Sequence, residues 1–243
     1  MKFRDLFTYK DPVREFYEKQ EIYPLSEMMA GLSAIPEKEF GKYAFFRDPL
    51  ERRFSRERKQ ELTIRALECG SEYAQFTKKK YQDITAQLAA QRLGVSVSYP
   101  ERPSNGGQVL FARFTEPDKI EVYLDCVRKG KLLVREYGLE MVLGEIDIRE
   151  LLLWHELFHV LELRNKDTIF TKTEKIELWK KPFSNRSVIG CLSEIAAMKF
   201  AAEMTGSRFS PFVLDVLLVY GYDQRAACAL YDEMMECIME NDD

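Results

Sequence analysis

The segment between residues 147 and 165 constrains the fold of this chain more than any other part of the sequence. It opens with Asp147-Ile148-Arg149-Glu150, which has the form of a capping box: Asp147 caps the first turn of a helix and Glu150 reaches back to the cap. The residues that follow are apolar on nearly every helix face as far as Asn165. Because a helix that is apolar all round is a buried one, this segment predicts a helix inside the core.

Two histidines and a glutamate interrupt this apolar helix in the order His155-Glu156-Leu157-Phe158-His159. Residues four apart lie one turn apart on nearly the same helix face, so both imidazoles can reach one metal ion, while Glu156 projects about 100° away, beside the metal. Two core histidines alone would leave the buried Glu156 carboxylate unpaired, which is costly. The pattern therefore predicts a Zn²⁺ site in which a zinc-bound water attacks the substrate and Glu156 acts as the general base.

A third metal ligand has to come from another part of the chain, because His155 and His159 are its only histidines. A helix predicted over residues 187–206 carries Glu194, followed by several small alanine residues that favour close packing of two helices. Close packing would bring the Glu194 carboxylate within a zinc-bonding distance of about 2 Å. Glu194 is therefore the predicted third ligand.

Other arrangements stay open at this point. The alternative third ligands are the carboxylates closer to the motif, Glu162, Asp167, Glu174 and Glu177. A carboxylate from residues 167–177 is also able to orient an imidazole without touching the metal. Cys191, three residues before Glu194, would face the same way, and four protein ligands would close the site and make it structural. A structural site has no use for Glu156, which favours the open form.

The whole chain predicts an α+β fold that is mainly helical, with a helical N-terminal region of unknown role over residues 1–80 and a zincin-like domain over residues 81–243. Apolar spacing predicts helices over residues 56–69 and 71–93, parted by Gly70, and another over residues 131–143. Alternation predicts strands over residues 95–99, 109–114 and 120–124, the last two joined by a turn. These strands would form a small antiparallel sheet next to the motif helix. A strand at the edge of this sheet would pair with an extended peptide.

Composition excludes several classes of function. The 36 Lys+Arg and 40 Asp+Glu residues leave a net charge of −4, so no basic excess favours nucleic acid or anionic lipid. No apolar stretch is long enough to span a bilayer, and the first five residues lack a secretory signal. The five cysteines include no C-x-x-C pair and indicate neither a disulfide framework nor a cysteine zinc finger. We expect a cytoplasmic protein that binds neither nucleic acid nor membranes.

Several segments together resemble the ImmA/IrrE-like zinc metallopeptidases. In chain order these are residues 88–95, the predicted strands, the His155–His159 motif and the Glu194-Ile195-Ala196-Ala197 helix as far as Met204, about two thirds of the chain. The chain departs from the family pattern at Phe158, where a small residue is usual, and at Ala196, where a family ligand would align. The resemblance implies a gluzincin-type peptidase with zinc, and a transcriptional regulator as one kind of protein substrate.

Two functional hypotheses follow. The first is a zinc peptidase that hydrolyses peptide bonds in a peptide or protein substrate, with a further donor for the negatively charged oxygen of the transition state. Tyr220, Tyr222 and Arg186 are candidates for this donor, because the two tyrosines follow the Glu194 helix and Arg186 directly precedes it. The second is a zinc-containing sensor or interaction module that keeps the peptidase scaffold with little or no proteolysis. Neither hypothesis specifies an oligomeric state.

Overall fold

A computed structural model of the chain describes residues 8–10, 20–102, 108–179 and 185–239. The described part is mostly helical with small sheets, so the predicted α+β class is confirmed. The helices are α1 (Leu25–Ser33), α2 (Phe40–Phe46), α3 (Arg56–Tyr81), α4 (Ala86–Arg92), α5 (Leu124–Glu136), α6 (Glu140–Leu143), α7 (Ile148–Arg164), α8 (Phe170–Thr173), α9 (Gly190–Thr205), α10 (Val213–Tyr220) and α11 (Gln224–Met239). The strands are β1 (Thr8–Lys10), β2 (Ser96–Ser98), β3 (Gln108–Leu110), β4 (Ala112–Thr115), β5 (Lys119–Val122), β6 (Lys175–Trp179) and β7 (Asn185–Val188).

Helix α7 is the buried helix that the sequence predicts. Leu151, Leu152 and Leu157 are fully buried. The Asp147 carboxylate caps the helix by accepting hydrogen bonds from the backbone N–H groups of Arg149 and Glu150 at 3.0 and 3.3 Å. The prediction that Glu150 reaches back to the cap residue is wrong. The Glu150 side chain instead accepts a hydrogen bond from the backbone N–H of Ala86 at the start of α4, because α4 packs against α7.

Helix α3 runs through Gly70 without a break, so the predicted boundary at this glycine is wrong. A Cβ atom on Gly70 would lie 2.3 Å from the carbonyl oxygen of Ala196 and 2.9 Å from the Cβ of Lys199. The absence of a side chain at Gly70 therefore allows α3 and α9 to approach closely. Helix α9 packs against both α3 and α7, and its residues Ala196, Ala197 and Ala201 are fully buried.

The central sheet has the strand order β2-β5-β4. Strands β4 and β5 form the predicted antiparallel hairpin, but β2 pairs with β5 in parallel, so the prediction of a purely antiparallel sheet is wrong. Twenty residues, 99–118, separate β2 from β5 along the chain, and a connection of this length permits parallel pairing. Within this sheet β4 is an edge strand, and β4 and β5 both contact α7.

Two further predicted elements divide differently. The strand predicted over residues 109–114 is split at Phe111 into β3, which pairs antiparallel with β1, and β4. The helix predicted over residues 131–143 begins earlier, at Leu124, and ends at Glu136, and the short α6 precedes the predicted stop at Gly144. A separate antiparallel pair, β6 and β7, lies between α8 and α9 along the chain.

The buried apolar side chains of the described residues form one cluster that draws on both predicted regions of the chain. Phe40 of α2, for example, stacks on Phe212 just before α10, with the ring centroids 5.8 Å apart and the planes within 8°. The helices of residues 20–80 thus share a core with α7 and α9. Among the described residues, no helix is long and apolar enough to cross a membrane.

Candidate metal centre

Helices α7 and α9 bring His155, His159 and Glu194 together. The Nε2 atoms of the two imidazoles are 3.2 Å apart. The Glu194 carboxylate lies 3.3 Å from His155 Nε2 through Oε2 and 3.7 Å from His159 Nε2 through Oε1. In the described part of the chain, these three residues form a group able to hold a metal ion.

The donor set and its spacing fit zinc. Zinc binds imidazole nitrogen and carboxylate oxygen at about 2.0–2.2 Å, and in a tetrahedral site two such ligand atoms are roughly 3.3 Å apart. The separations of 3.2, 3.3 and 3.7 Å are close to this value. Two imidazoles and one carboxylate are also the ligands of catalytic His₂Glu zinc sites, which leave one position open.

Helix α9 is held in place at its first turn as well as along its length. The buried Asp48 carboxylate accepts a hydrogen bond from the backbone N–H of Cys191 at 3.1 Å, and so occupies one of the free donors at the start of the helix. Burial, with the nearby Asp48 carboxylate, raises the pKa of the Cys191 thiol well above its usual value. Cys191 is not part of the metal-binding group, so the described residues do not form the closed four-ligand arrangement.

The other alternative ligands lie elsewhere. Glu174 forms ion pairs with Arg58 at 2.6 Å and Arg65 at 3.4 Å, and Asp167 and Glu177 are exposed. None of the three belongs to the metal-binding group of the described residues. Their positions leave Glu194 as the carboxylate that the structure brings to the two imidazoles.

Glu156 is buried beside the group without belonging to it, at 5% exposure. The backbone of Phe114, on the edge strand β4, lies close enough to this carboxyl to lower its pKa slightly. Burial raises the pKa of Glu156, the two imidazoles partly offset this effect, and the net pKa is above the usual value. A carboxyl whose pKa is raised toward neutrality is better matched to proton transfer at neutral pH.

The three members of the group influence one another's protonation. Burial opposes ionisation of Glu194, but the adjacent imidazoles outweigh it and hold the pKa of this carboxyl below its usual value. Burial likewise lowers the pKa of His159, but the surrounding carboxylates, Glu194 first, raise it to about 9. The metal-free group thus concentrates negative charge around the imidazoles, which favours a cation.

Glu162 lies on the other side of the His159 ring and is not a member of the metal-binding group. Its carboxylate Oε2 is 3.6 Å from His159 Nδ1. The same carboxylate accepts hydrogen bonds from Thr171 at 2.5 Å and Ser193 at 2.8 Å, and pairs with Lys172 at 2.8 Å. Burial would raise the pKa of Glu162, but His159 and Lys172 outweigh it and lower the pKa to about 2. Its position three residues after His159 on one helix is a signal readable in the sequence.

The predicted transition-state donors make contacts that do not involve the metal-binding group among the described residues. The Tyr220 ring packs edge-to-face against Tyr137, with the centroids 6.0 Å apart. Tyr222 lies beside Asp125, and the Lys129 ammonium is 3.4 Å from the centroid of its ring. Arg186 is exposed on β7. Their role in catalysis stays a prediction.

Tyr123 is a phenol near the candidate base that sequence reasoning missed. It follows β5, is nearly fully buried, and donates a hydrogen bond from its hydroxyl to Glu121 at 3.2 Å. Burial is the main cause that raises the pKa of Tyr123 to about 12, and the Glu156 carboxylate is close enough to contribute. No local pattern marks this residue, because its proximity to α7 depends on how the sheet packs.

No protein-family model, curated protein or solved structure matches this chain. The resemblance to the ImmA/IrrE-like peptidases therefore stays a prediction from the sequence.

Proposed function

We propose that this chain is a zinc-dependent peptidase. The observation that carries the proposal is the division of roles on α7: His155 and His159 converge with Glu194, while Glu156 is buried outside this group, near the backbone of the edge strand β4. A structural zinc site needs four protein ligands and no additional carboxylate. Three ligands with a separate buried carboxyl are what a hydrolytic site requires.

The residues of this chain divide the chemistry between them. When bound, zinc would act as a Lewis acid: it would polarise the substrate carbonyl and lower the pKa of water enough to make it a nucleophile near neutral pH. Glu156 takes the proton from the attacking water and returns it to the amine that leaves. Tyr220, Tyr222 and Arg186 stay candidates for the donor to the oxygen that becomes negative.

The edge strand β4 supports a peptide as the proposed substrate class. Among the described residues, β4 is the last strand of the order β2-β5-β4, and the backbone of its Phe114 lies near the candidate base Glu156. An extended peptide can add to such an edge through main-chain hydrogen bonds. This favours a peptide or protein substrate over a small amide, and the resemblance to ImmA/IrrE-like peptidases favours a cytoplasmic transcriptional regulator.

Glu156→Gln tests the proposal because it removes the base and keeps the size of the side chain. We expect the metal-loaded wild type to cleave denatured protein or a peptide library. We expect the variant to retain stoichiometric zinc and lose at least about 10²-fold in rate. Glu203→Gln is the matched control, since Glu203 pairs with Ser71 and Lys199 away from the group. Equal cleavage by wild type and Glu156→Gln would contradict the proposal.

Burial of the site favours a second candidate, the zinc-containing sensor or interaction module. The side chains of His155, His159 and Glu194 are only 2%, 15% and 6% exposed, so a substrate has limited access to them. Stoichiometric zinc in a wild type that cleaves neither denatured protein nor a peptide library would support this candidate over the peptidase.

A further inference from the structure

A hydrogen-bonded group of side chains lies behind His159, on the side of the ring away from the metal-binding atoms. Both oxygens of the Glu162 carboxylate are occupied: Thr171 donates to Oε1 at 2.5 Å, and Ser193 donates to Oε2 at 2.8 Å. The Lys172 ammonium lies 2.8 Å from the same Oε2. Because both oxygens are held, the carboxylate has one orientation.

This arrangement determines where the proton of the His159 ring lies. Since the Ser193 hydroxyl hydrogen is given to Glu162, the Ser193 oxygen faces His159 Nδ1 as an acceptor at 3.3 Å. The Glu162 carboxylate, 3.6 Å from Nδ1, also accepts only. When the ring is neutral, as a metal ligand has to be, Nδ1 therefore carries the hydrogen and the lone pair is on Nε2, the atom that faces His155 and Glu194.

Three helices contribute to this group. Glu162 lies on α7, Lys172 on α8, and Ser193 on α9, directly before the predicted ligand Glu194. Ser193 therefore ties the ring of one ligand to the helix that carries another. The Glu162 carboxylate is buried, and its ion pair with Lys172 offsets the cost of desolvating the charge. Glu162 therefore stays ionised behind the ring.

We propose that Glu162 and Ser193, with Lys172 holding the carboxylate, are positioning residues that fix His159 as an Nε2 ligand. The inference rests on the proposed function only in that the group binds a metal. Partners of this kind on a metal-bound histidine typically change metal affinity 10–100-fold, an effect that does not require turnover.

The test is the affinity of the purified full chain for Zn²⁺, measured by competition with a chelator. We expect Glu162→Gln to weaken binding by about 10–100-fold and Ser193→Ala to weaken it by less, since Glu162 would remain near the ring. Lys172→Met should fall between wild type and Glu162→Gln. Glu203→Gln is the matched control, because Glu203 also accepts from a serine, at 2.6 Å, and also pairs with a lysine, at 3.5 Å, away from the imidazoles.

A spectroscopic measurement separates positioning from general stability. With Co²⁺ in place of zinc, Glu162→Gln and Ser193→Ala should alter the visible absorption of the ion, and Glu203→Gln should leave it as in wild type. Wild-type affinity and an unchanged Co²⁺ spectrum in both Glu162→Gln and Ser193→Ala would overturn the inference while leaving the peptidase proposal intact. Tight zinc binding by the wild type and weaker binding by these variants would support the inference. If the same wild type cleaved nothing, the peptidase proposal would be contradicted while the inference stood.

Discussion

Gly70 of α3 lies so close to Ala196 of α9 that a Cβ atom on Gly70 would be 2.3 Å from the Ala196 carbonyl oxygen. Backbone cannot move aside as a flexible side chain does, so a larger residue at position 70 has to displace one of the two helices. Helix α9 carries Glu194, and its position against α7 sets the distance of this carboxylate from the imidazoles. The contact therefore links the packing of the core to the geometry of the site.

Gly70→Ala should destabilise the protein and weaken zinc binding together. Overpacking of this kind costs about 1–3 kcal/mol, and the shift of α9 that relieves it moves Glu194. Urea unfolding and zinc affinity measure the two effects. Gly31→Ala in α1 is the control, since its added methyl would meet only the Tyr231 hydroxyl, at 3.3 Å. A Gly70→Ala variant as stable as wild type would contradict this account of the α3–α9 contact.

Glu194→Ala should abolish stoichiometric zinc binding, because only two imidazoles remain of the group. Zinc at a free concentration 100 times its dissociation constant stabilises a protein by about 2.7 kcal/mol. The wild type should therefore melt at a higher temperature with zinc than with a chelator, and the variant should show no such difference. Elemental analysis and thermal unfolding provide both measurements.

Glu203→Ala, on the same helix, controls for the loss of a glutamate from α9. Full zinc content in Glu194→Ala would show that another carboxylate completes the site, and Glu162 would then be the next residue to substitute.

The parts of the site that depend on helix geometry are predictable from the sequence. The facing of His155 and His159 follows from their spacing of four residues, and Glu194 follows from the small residues that allow close helix packing. The cap at Asp147 is equally local. These features depend on residues a few positions apart, or on a run of small residues that favours close packing of two helices.

The remaining features depend on contacts between distant parts of the chain. Gly70 has the appearance of a helix break, but its neighbour is Ala196, and only the packed structure reveals this. Glu150 leaves its own helix end to bind Ala86 for the same reason. The parallel pairing of β2 with β5 also follows from the path of the chain between them, which alternation of residues does not specify.

Asp215 predicts a pH dependence of stability in the metal-free protein. Its carboxyl is buried on α10, and burial, which Arg47 opposes and Glu194 reinforces, raises its pKa from 3.8 to about 8. Between these values the folded chain holds a proton that the unfolded chain releases, so the contribution of Asp215 to stability is full below pH 4 and declines as the pH rises toward 8.

Asp215→Asn should remove this decline, since its side chain is neutral at every pH. The free energy of unfolding of the variant should therefore rise relative to wild type between pH 4 and 8, by up to about 1.4 kcal/mol per pH unit. Urea unfolding in the presence of a chelator measures it, and Asp83→Asn, at an exposed position, controls for the loss of one carboxylate. A constant difference across this range would contradict the raised pKa.

Phe158 joins the helices that surround the metal centre. Its ring is fully buried between α3 and α9, with centroids 6.0 Å from Tyr73 and 5.5 Å from Phe200. It also directly precedes His159, so a cavity here would loosen the ring of a predicted metal ligand. Phe158→Ala should cost about 3–5 kcal/mol of stability and weaken zinc binding, as urea unfolding and chelator competition would show.

Phe76→Ala on α3 is the control, because this side chain is 61% exposed, and it should change stability by no more than about 0.5 kcal/mol. Similar small losses in both variants would mean that this aromatic contact does not hold α7 against its neighbours.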